Sequence, residues 1–148
     1  MKLIKPSFEV LEQAPGLTGV YKQIEIAGRT CYKSEDKITE TSAKEFIERM
    51  VKSGHGAMLE HGTVYLKIQS DIVNEGNCNL DLFTDGNPYS RWYIKDGYWY
   101  VTTNFRVLIE QHEIDLLQYI CEPTEYHEKR ITSKFICDRG VSHKKFVA

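Results

Sequence analysis

The sequence predicts an α+β fold: a single domain in which an antiparallel or mixed sheet is flanked by helices. Three observations lead there. Ala43, Phe46, Ile47, Met50 and Val51 repeat at i, i+3, i+4, i+7 and i+8, the mark of a helix with one buried face. Thr63 to Ile68 alternates as a strand does. Helical and strand-like segments then intermix with long connections, rather than alternating in regular βα units. At 148 residues the chain is long enough for a real core, and residues 1–148 read as one domain.

Taken in order, Lys2 to Val10 alternates loosely and predicts an opening strand. After Pro15-Gly16, the spacing of Val20, Ile24 and Ala27 predicts a helix from Thr18 to about Arg29. The next helix starts at Ser42, which with Glu45 has the spacing of a capping box, and ends at Gly54 in the C′ position. In the strand that follows, Val64, Leu66 and Ile68 face one side and Thr63, Tyr65 and Lys67 the other. Ser70 to Asp96, rich in Asn, Asp and Gly, reads as a long surface excursion. Tyr98 to Thr103 is β-branched and aromatic throughout and reads as a strand. Asn104 is placed to cap a helix running through Val107, Leu108, Leu116, Leu117 and Ile120, broken near His112 and ended by Pro123. Ile131 to Cys137 is the last expected strand, followed by a turn and the first turn of a helix.

Composition narrows the function classes. A net charge of −2, with the two signs interspersed, gives no broad basic face for nucleic acid. No apolar run approaches the ~20 residues that span a bilayer, and the N-terminus does not have the form of a signal peptide. Cys31, Cys78, Cys121 and Cys137 form no CxxC pair and read as reduced thiols. A cytoplasmic location is expected.

Chemistry-bearing residues concentrate between the second helix and its strand, in Gly54-His55-Gly56-Ala57-Met58-Leu59-Glu60-His61-Gly62-Thr63. Three readings stand. The segment could ligate a metal, although it lacks the His-x-x-Glu-His spacing that turns two imidazoles toward one ion. It could be a helix-to-strand turn in which Glu60 and His61 satisfy backbone groups. It could be a ligand wall, where Gly54 and Gly56 let the backbone approach a planar ring with His55 beside it. Farther upstream, Ala27-Gly28-Arg29-Thr30-Cys31-Tyr32 puts an Arg at a helix end, either to meet a phosphate or to cap its own helix. Arg106, Arg130 and Arg139, taken singly, read as solvated or paired.

An Ala-x-Arg-x-Cys-like segment, then Gly-His-x-x-x-Leu-Glu-His before a strand, then Asp-Arg-Gly-Val-Ser-His, in this order, resembles the flavin-dependent thymidylate synthases (ThyX). The matching residues are Ala27, Arg29 to Tyr32, His55, Leu59 to His61 and Phe135 to His143, with further similarity at Tyr89-Ser90 and Thr102 to Glu110. The resemblance implies a homotetrameric, cytoplasmic flavoprotein of nucleotide biosynthesis. Such a methyltransferase converts dUMP to dTMP, with methylenetetrahydrofolate as carbon donor, NADPH as reductant and FAD as hydride relay. It implies cofactor-binding roles for Arg29, Cys31, His55, Ala57, Glu60 and His61, and substrate-binding roles for Arg139, His143 and Lys144. It assigns no catalytic residue; from spacing, charge and hydropathy, no metal, nucleic-acid or membrane partner is expected.

The family continues from Val-Ser-His into an Arg-His-Arg-x7-Ser signature that holds flavin phosphate and dUMP. Here Val141-Ser142-His143 is followed by Lys144-Lys145-Phe146-Val147-Ala148. The chain is therefore expected to be a truncated, N-terminal portion of such a protein, with weak or no activity alone. Apolar surface bared by the missing part is expected to drive dimers or larger oligomers. The alternative reading is a non-catalytic remnant that self-associates or binds a nucleotide.

Overall fold

The structure, a computed structural model, describes residues 5–74, 80–84 and 87–137. The expected turn and helix start beyond Cys137, with Arg139, His143 and Lys144, and also Cys78, lie outside the described residues. The fold is α+β, with two small antiparallel sheets and several helices. The chain divides into two units, Met1–Glu12 with Ile131–Ala148, and Gln13–Arg130.

The first unit pairs β1 (Ser7–Leu11) antiparallel with β5 (Thr132–Ile136). Phe8 lies opposite Phe135 with ring centroids 4.9 Å apart, and Glu9 lies opposite Lys134. Both rings remain well exposed, as do Val10 and Ile131.

In the second unit, α1 (Gly16–Cys31) buries Val20 and Ile24, as their spacing predicts, and runs a turn longer than expected. Helix α2 (Ser42–Lys52) buries Ala43, Phe46 and Ile47, while Val51 lies at the edge of that face and is exposed. Gly54, at φ +71°, closes α2: its N–H donates to Val51 O and the His55 N–H to Met50 O, the paired bonds of a Schellman motif. The capping box at the other end does not form. The Ser42 hydroxyl donates to Glu25 Oε2 at 2.9 Å and accepts from Thr39 N–H, so a tertiary partner outcompetes the local one.

A 3₁₀ segment, Gly56–His61, leads into β2 (Thr63–Gln69). Val64, Leu66 and Ile68 are fully buried on one face, as predicted. The stretch read as a surface excursion is more structured than its composition suggests. It contains the short helices α3 (Ser70–Asn74) and α4 (Asp81–Thr84), and Leu80 and Phe83 reach the core. It also contains β3 (Arg91–Lys95), which the sequence reading missed. Asp96 and Gly97, both at positive φ, turn β3 directly into β4 (Tyr98–Asn104). Asp-Gly between alternating runs is a strong two-residue hairpin signal, because both central positions need positive φ. The sheet order is β2-β4-β3.

Asn104 caps α5 (Phe105–Glu110) as expected, its Oδ1 accepting from Val107 N–H at 3.0 Å. The break falls at His112, whose φ is +59°, and a 3₁₀ segment, Ile114–Tyr119, follows. The core collects Val20, Ile24, Val64, Val101, Phe105 and Leu108 among others, so α1 and α5 cover the same sheet face. No helix among the described residues is long and apolar enough to cross a membrane. Because Asn104 satisfies a buried N–H, Asn104→Ala is expected to lower unfolding stability by about 1 kcal/mol. A urea denaturation midpoint indistinguishable from wild type would show the cap to be dispensable.

Candidate functional site

The C-terminal turns of α1 and α2 converge on a cleft of about 640 Å³, within the size range of small-molecule sites. Arg29 and Tyr32 come from the end of α1; Phe46, Arg49, Met50 and Lys52 come from α2; His55 closes the set just beyond it. Phe46 and Met50 give the cleft an apolar floor, while three cations and an imidazole stand around it.

Arg29 is the best-held of these cations. Its Nε donates to Glu25 Oε1 at 3.2 Å, one helical turn back, and Glu25 is almost completely buried. Its guanidinium carbon lies 4.8 Å from the Phe46 ring centroid, a cation–π contact. Gly28 is what lets the two helices meet here, since a Cβ at that position would lie 2.4 Å from Phe46 Cζ. Nε and the ring orient the guanidinium; its terminal nitrogens make no hydrogen bond to a described residue. Arg49 and Lys52 are exposed and stand in the last turn of α2, where positive charge is favoured by the helix dipole.

His55 faces Tyr32 across the cleft. Its Nδ1 and the Tyr32 hydroxyl are 2.9 Å apart, and the two rings are stacked with centroids at 6.3 Å. The structure thus brings Arg29 and His55 together. Cys31, Ala57, Glu60 and His61 are exposed and do not line this cleft.

Glu60 instead belongs to a second cluster. Arg106 Nη1 donates to Glu60 Oε1 at 2.6 Å and Arg106 Nε to Glu110 Oε1 at 2.6 Å. These bonds, to Glu110 first and then to Glu60, raise the Arg106 pKa above its ordinary value. The segment is thus a helix-to-strand turn, but among the described residues the hydrogen bond of Glu60 is to Arg106 and not to the backbone groups that the turn reading supposed. Gly56 lies under the same guanidinium: a Cβ there would be 2.9 Å from Arg106 Nε. Its lack of a side chain thus makes room for Arg106, while Gly54 serves the end of α2. Among the described residues, no three His, Cys, Asp or Glu side chains are grouped to hold a metal ion. Cys31, Cys121 and Cys137 are free thiols.

Residues 16–74 match the family of thymidylate synthase complementing proteins. Every residue lining the cleft falls within that span. The resemblance noted from the ordered motifs is therefore found independently over this portion. No curated protein and no solved structure matches the chain.

The sequence reading missed Phe46, Arg49 and Lys52 as cleft residues. Arg49 follows Phe46 by three residues and Lys52 follows Arg49 by three, a row along the edge of the buried face of α2. It also missed His127, which is structural. Thr124 N–H donates to Nδ1 at 3.0 Å, so Nε2 carries the proton and donates to Leu66 O at 3.0 Å. Tyr65 and Tyr100 meet the ring edge-on.

Burial pushes the His127 pKa below the usual imidazole range, opposed only in part by the bond to Leu66. The folded state then binds fewer protons than the unfolded chain. This contribution to stability is complete above the unfolded value of about 6.5 and is lost as pH falls below it. His127→Gln, which retains a donor for Leu66 O, is expected to lose less stability than wild type between pH 7 and pH 5. Urea midpoints at both pH values check this, and equal losses in the two proteins would contradict it.

Proposed function

We propose that the chain carries part of the ligand-binding surface of a flavin-dependent thymidylate synthase-like protein. The reaction of that class converts dUMP to dTMP with methylenetetrahydrofolate and NADPH. One observation carries the reading: a cleft with an apolar floor and three flanking cations lies wholly within the family-matched residues. Such a lining suits a planar ring joined to phosphates, which is the chemistry of FAD.

The residues present fit that group. The Phe46–Met50 floor would take apolar surface, and His55 and Tyr32 would stand beside a ring. Arg29 would offer the flat fork that pairs with phosphate oxygens, while Lys52 would act as a point charge. When bound, FAD supplies hydride transfer; the protein's contribution is orientation and charge. Ala57, Glu60 and His61 would bound the ligand on the other side of His55, and Cys31 would lie at its margin.

A flavin titration of the purified protein, followed by absorbance and fluorescence, tests this. FAD is expected to bind with a shifted spectrum. The exposed substitutions Arg49→Ala and Lys52→Ala are expected to weaken FAD about tenfold or more between them, since a charged hydrogen bond is worth ~1.5–3 kcal/mol. They should leave riboflavin, which has no phosphate, unchanged. Absence of FAD binding up to high micromolar concentration would falsify the flavoprotein reading.

The second reading, a non-catalytic domain that self-associates, is favoured by one observation. Phe8, Val10 and Phe135 form an exposed apolar face on a sheet of only two strands, and such sheets are marginally stable when uncovered. Light scattering at high protein concentration is expected to report a dimer or larger assembly that Phe8→Ser weakens. A monomer at every concentration would remove this reading.

A further inference from the structure

The second charged cluster lies outside the cleft, and its central residue, Arg106, lies outside the family-matched span. It nonetheless grips the segment that leads from His55 to β2. Arg106 touches that segment twice: its Nη1 donates to the Glu60 carboxylate at 2.6 Å, and its Nε would lie 2.9 Å from a Cβ built on Gly56. A backbone bond from Phe105 N–H to Gly62 O, 2.9 Å long, fixes the far end of the segment to the same helix.

The guanidinium is itself aimed by Glu110, four residues along α5, which takes Nε and leaves Nη1 for Glu60. This division of labour distinguishes the two carboxylates. Glu110 orients the fork, and Glu60 is what the fork holds. All three side chains are at least a third exposed, so the cluster is not a core element whose loss would unfold the protein.

We propose that Arg106 is a positioning residue: it holds Glu60 and the Gly56 backbone so that the Gly56–His61 segment presents a fixed surface to a ligand beside His55. The proposal rests on the flavin-binding reading for its ligand and on the geometry alone for the segment. Both parts can be measured separately on Arg106→Gln, Arg106→Lys, Glu60→Gln and Glu110→Gln.

Hydrogen exchange is the first measurement. Arg106→Gln is expected to speed exchange of the Leu59–Gly62 amides at least tenfold while amides of β2 and β4 keep wild-type rates. Unchanged exchange at Leu59–Gly62 would overturn the proposal whether or not flavin binds.

FAD affinity is the second. Arg106→Gln and Glu60→Gln are expected to weaken FAD at least fivefold, Glu110→Gln less than twofold, and Arg106→Lys is expected to recover part of the loss. Wild-type affinity in Arg106→Gln would overturn the ligand half of the proposal. Failure of the wild-type protein to bind FAD would instead overturn the flavin reading, and the ligand half with it, leaving the exchange result to decide the segment.

Discussion

The buried contact of Arg29 with Glu25 and Phe46 is the constraint from which the site follows. Glu25 is almost fully removed from water and must be matched. It is matched from both helices: Arg29 on α1 takes one oxygen, and Ser42 at the start of α2 takes the other. The same Arg29 lies over Phe46, in the middle of α2, and Gly28 lets that ring come close. Polar and apolar contacts thus agree on one arrangement of α1 against α2. The consequence is a guanidinium held in place where it lines the cleft. Breaking one partner of such a pair would strand the other charge in a dry environment, which is costlier than losing an exposed ion pair.

The segment after α2 is fixed by a different set of contacts. At its start, the Schellman bonds and the Tyr32–His55 contact hold His55 at the cleft. At its end, Gly62 lies so close to Val20 and Ile24 that no side chain would fit, and Leu59 is buried beside them. Leu59 anchors the 3₁₀ turn inward, so Ala57, Glu60 and His61 are left facing outward. The exposed row is a consequence of where Leu59 and Gly62 must pack. Arg106 adds only modest stability, as exposed pairs do, but it removes freedom from a carboxylate that would otherwise be mobile.

Much of this was legible in the sequence wherever the determining contacts are local. The buried faces of β2 and α2, the Gly54 stop and the Asn104 cap each depend on residues within four positions of one another, and each is found where the sequence predicts it. The Asp96-Gly97 hairpin was equally local, and it was overlooked because the surrounding Asn and Asp suggested a loop. The capping box failed for the opposite reason: Ser42 is bound by Glu25, seventeen residues away. Arg106 meets Glu60 across forty-six residues and His127 meets Leu66 across sixty-one, distances at which periodicity and spacing carry no information. Of the candidate site, Arg29 and His55 were legible as motif residues, but their meeting in one cleft depends on those non-local contacts.

The position of the cleft at a helix C-terminus sets what can hold an anion there. Phosphate usually gains from helix N-termini, where free N–H groups and the positive end of the dipole face the ligand. Here the N–H groups of Ser53, Gly54 and His55 are already spent on Arg49, Val51 and Met50 carbonyls. Those bonds quench the exposed carbonyls that would repel an anion, but they leave no backbone donors for it. Attraction must come from the side chains of Arg29, Arg49 and Lys52, two of which are exposed and screened by salt. Selectivity for a ligand that also carries a ring then comes from the Phe46–Met50 floor and the His55–Tyr32 pair, since point charges at an open surface do not distinguish one phosphate from another.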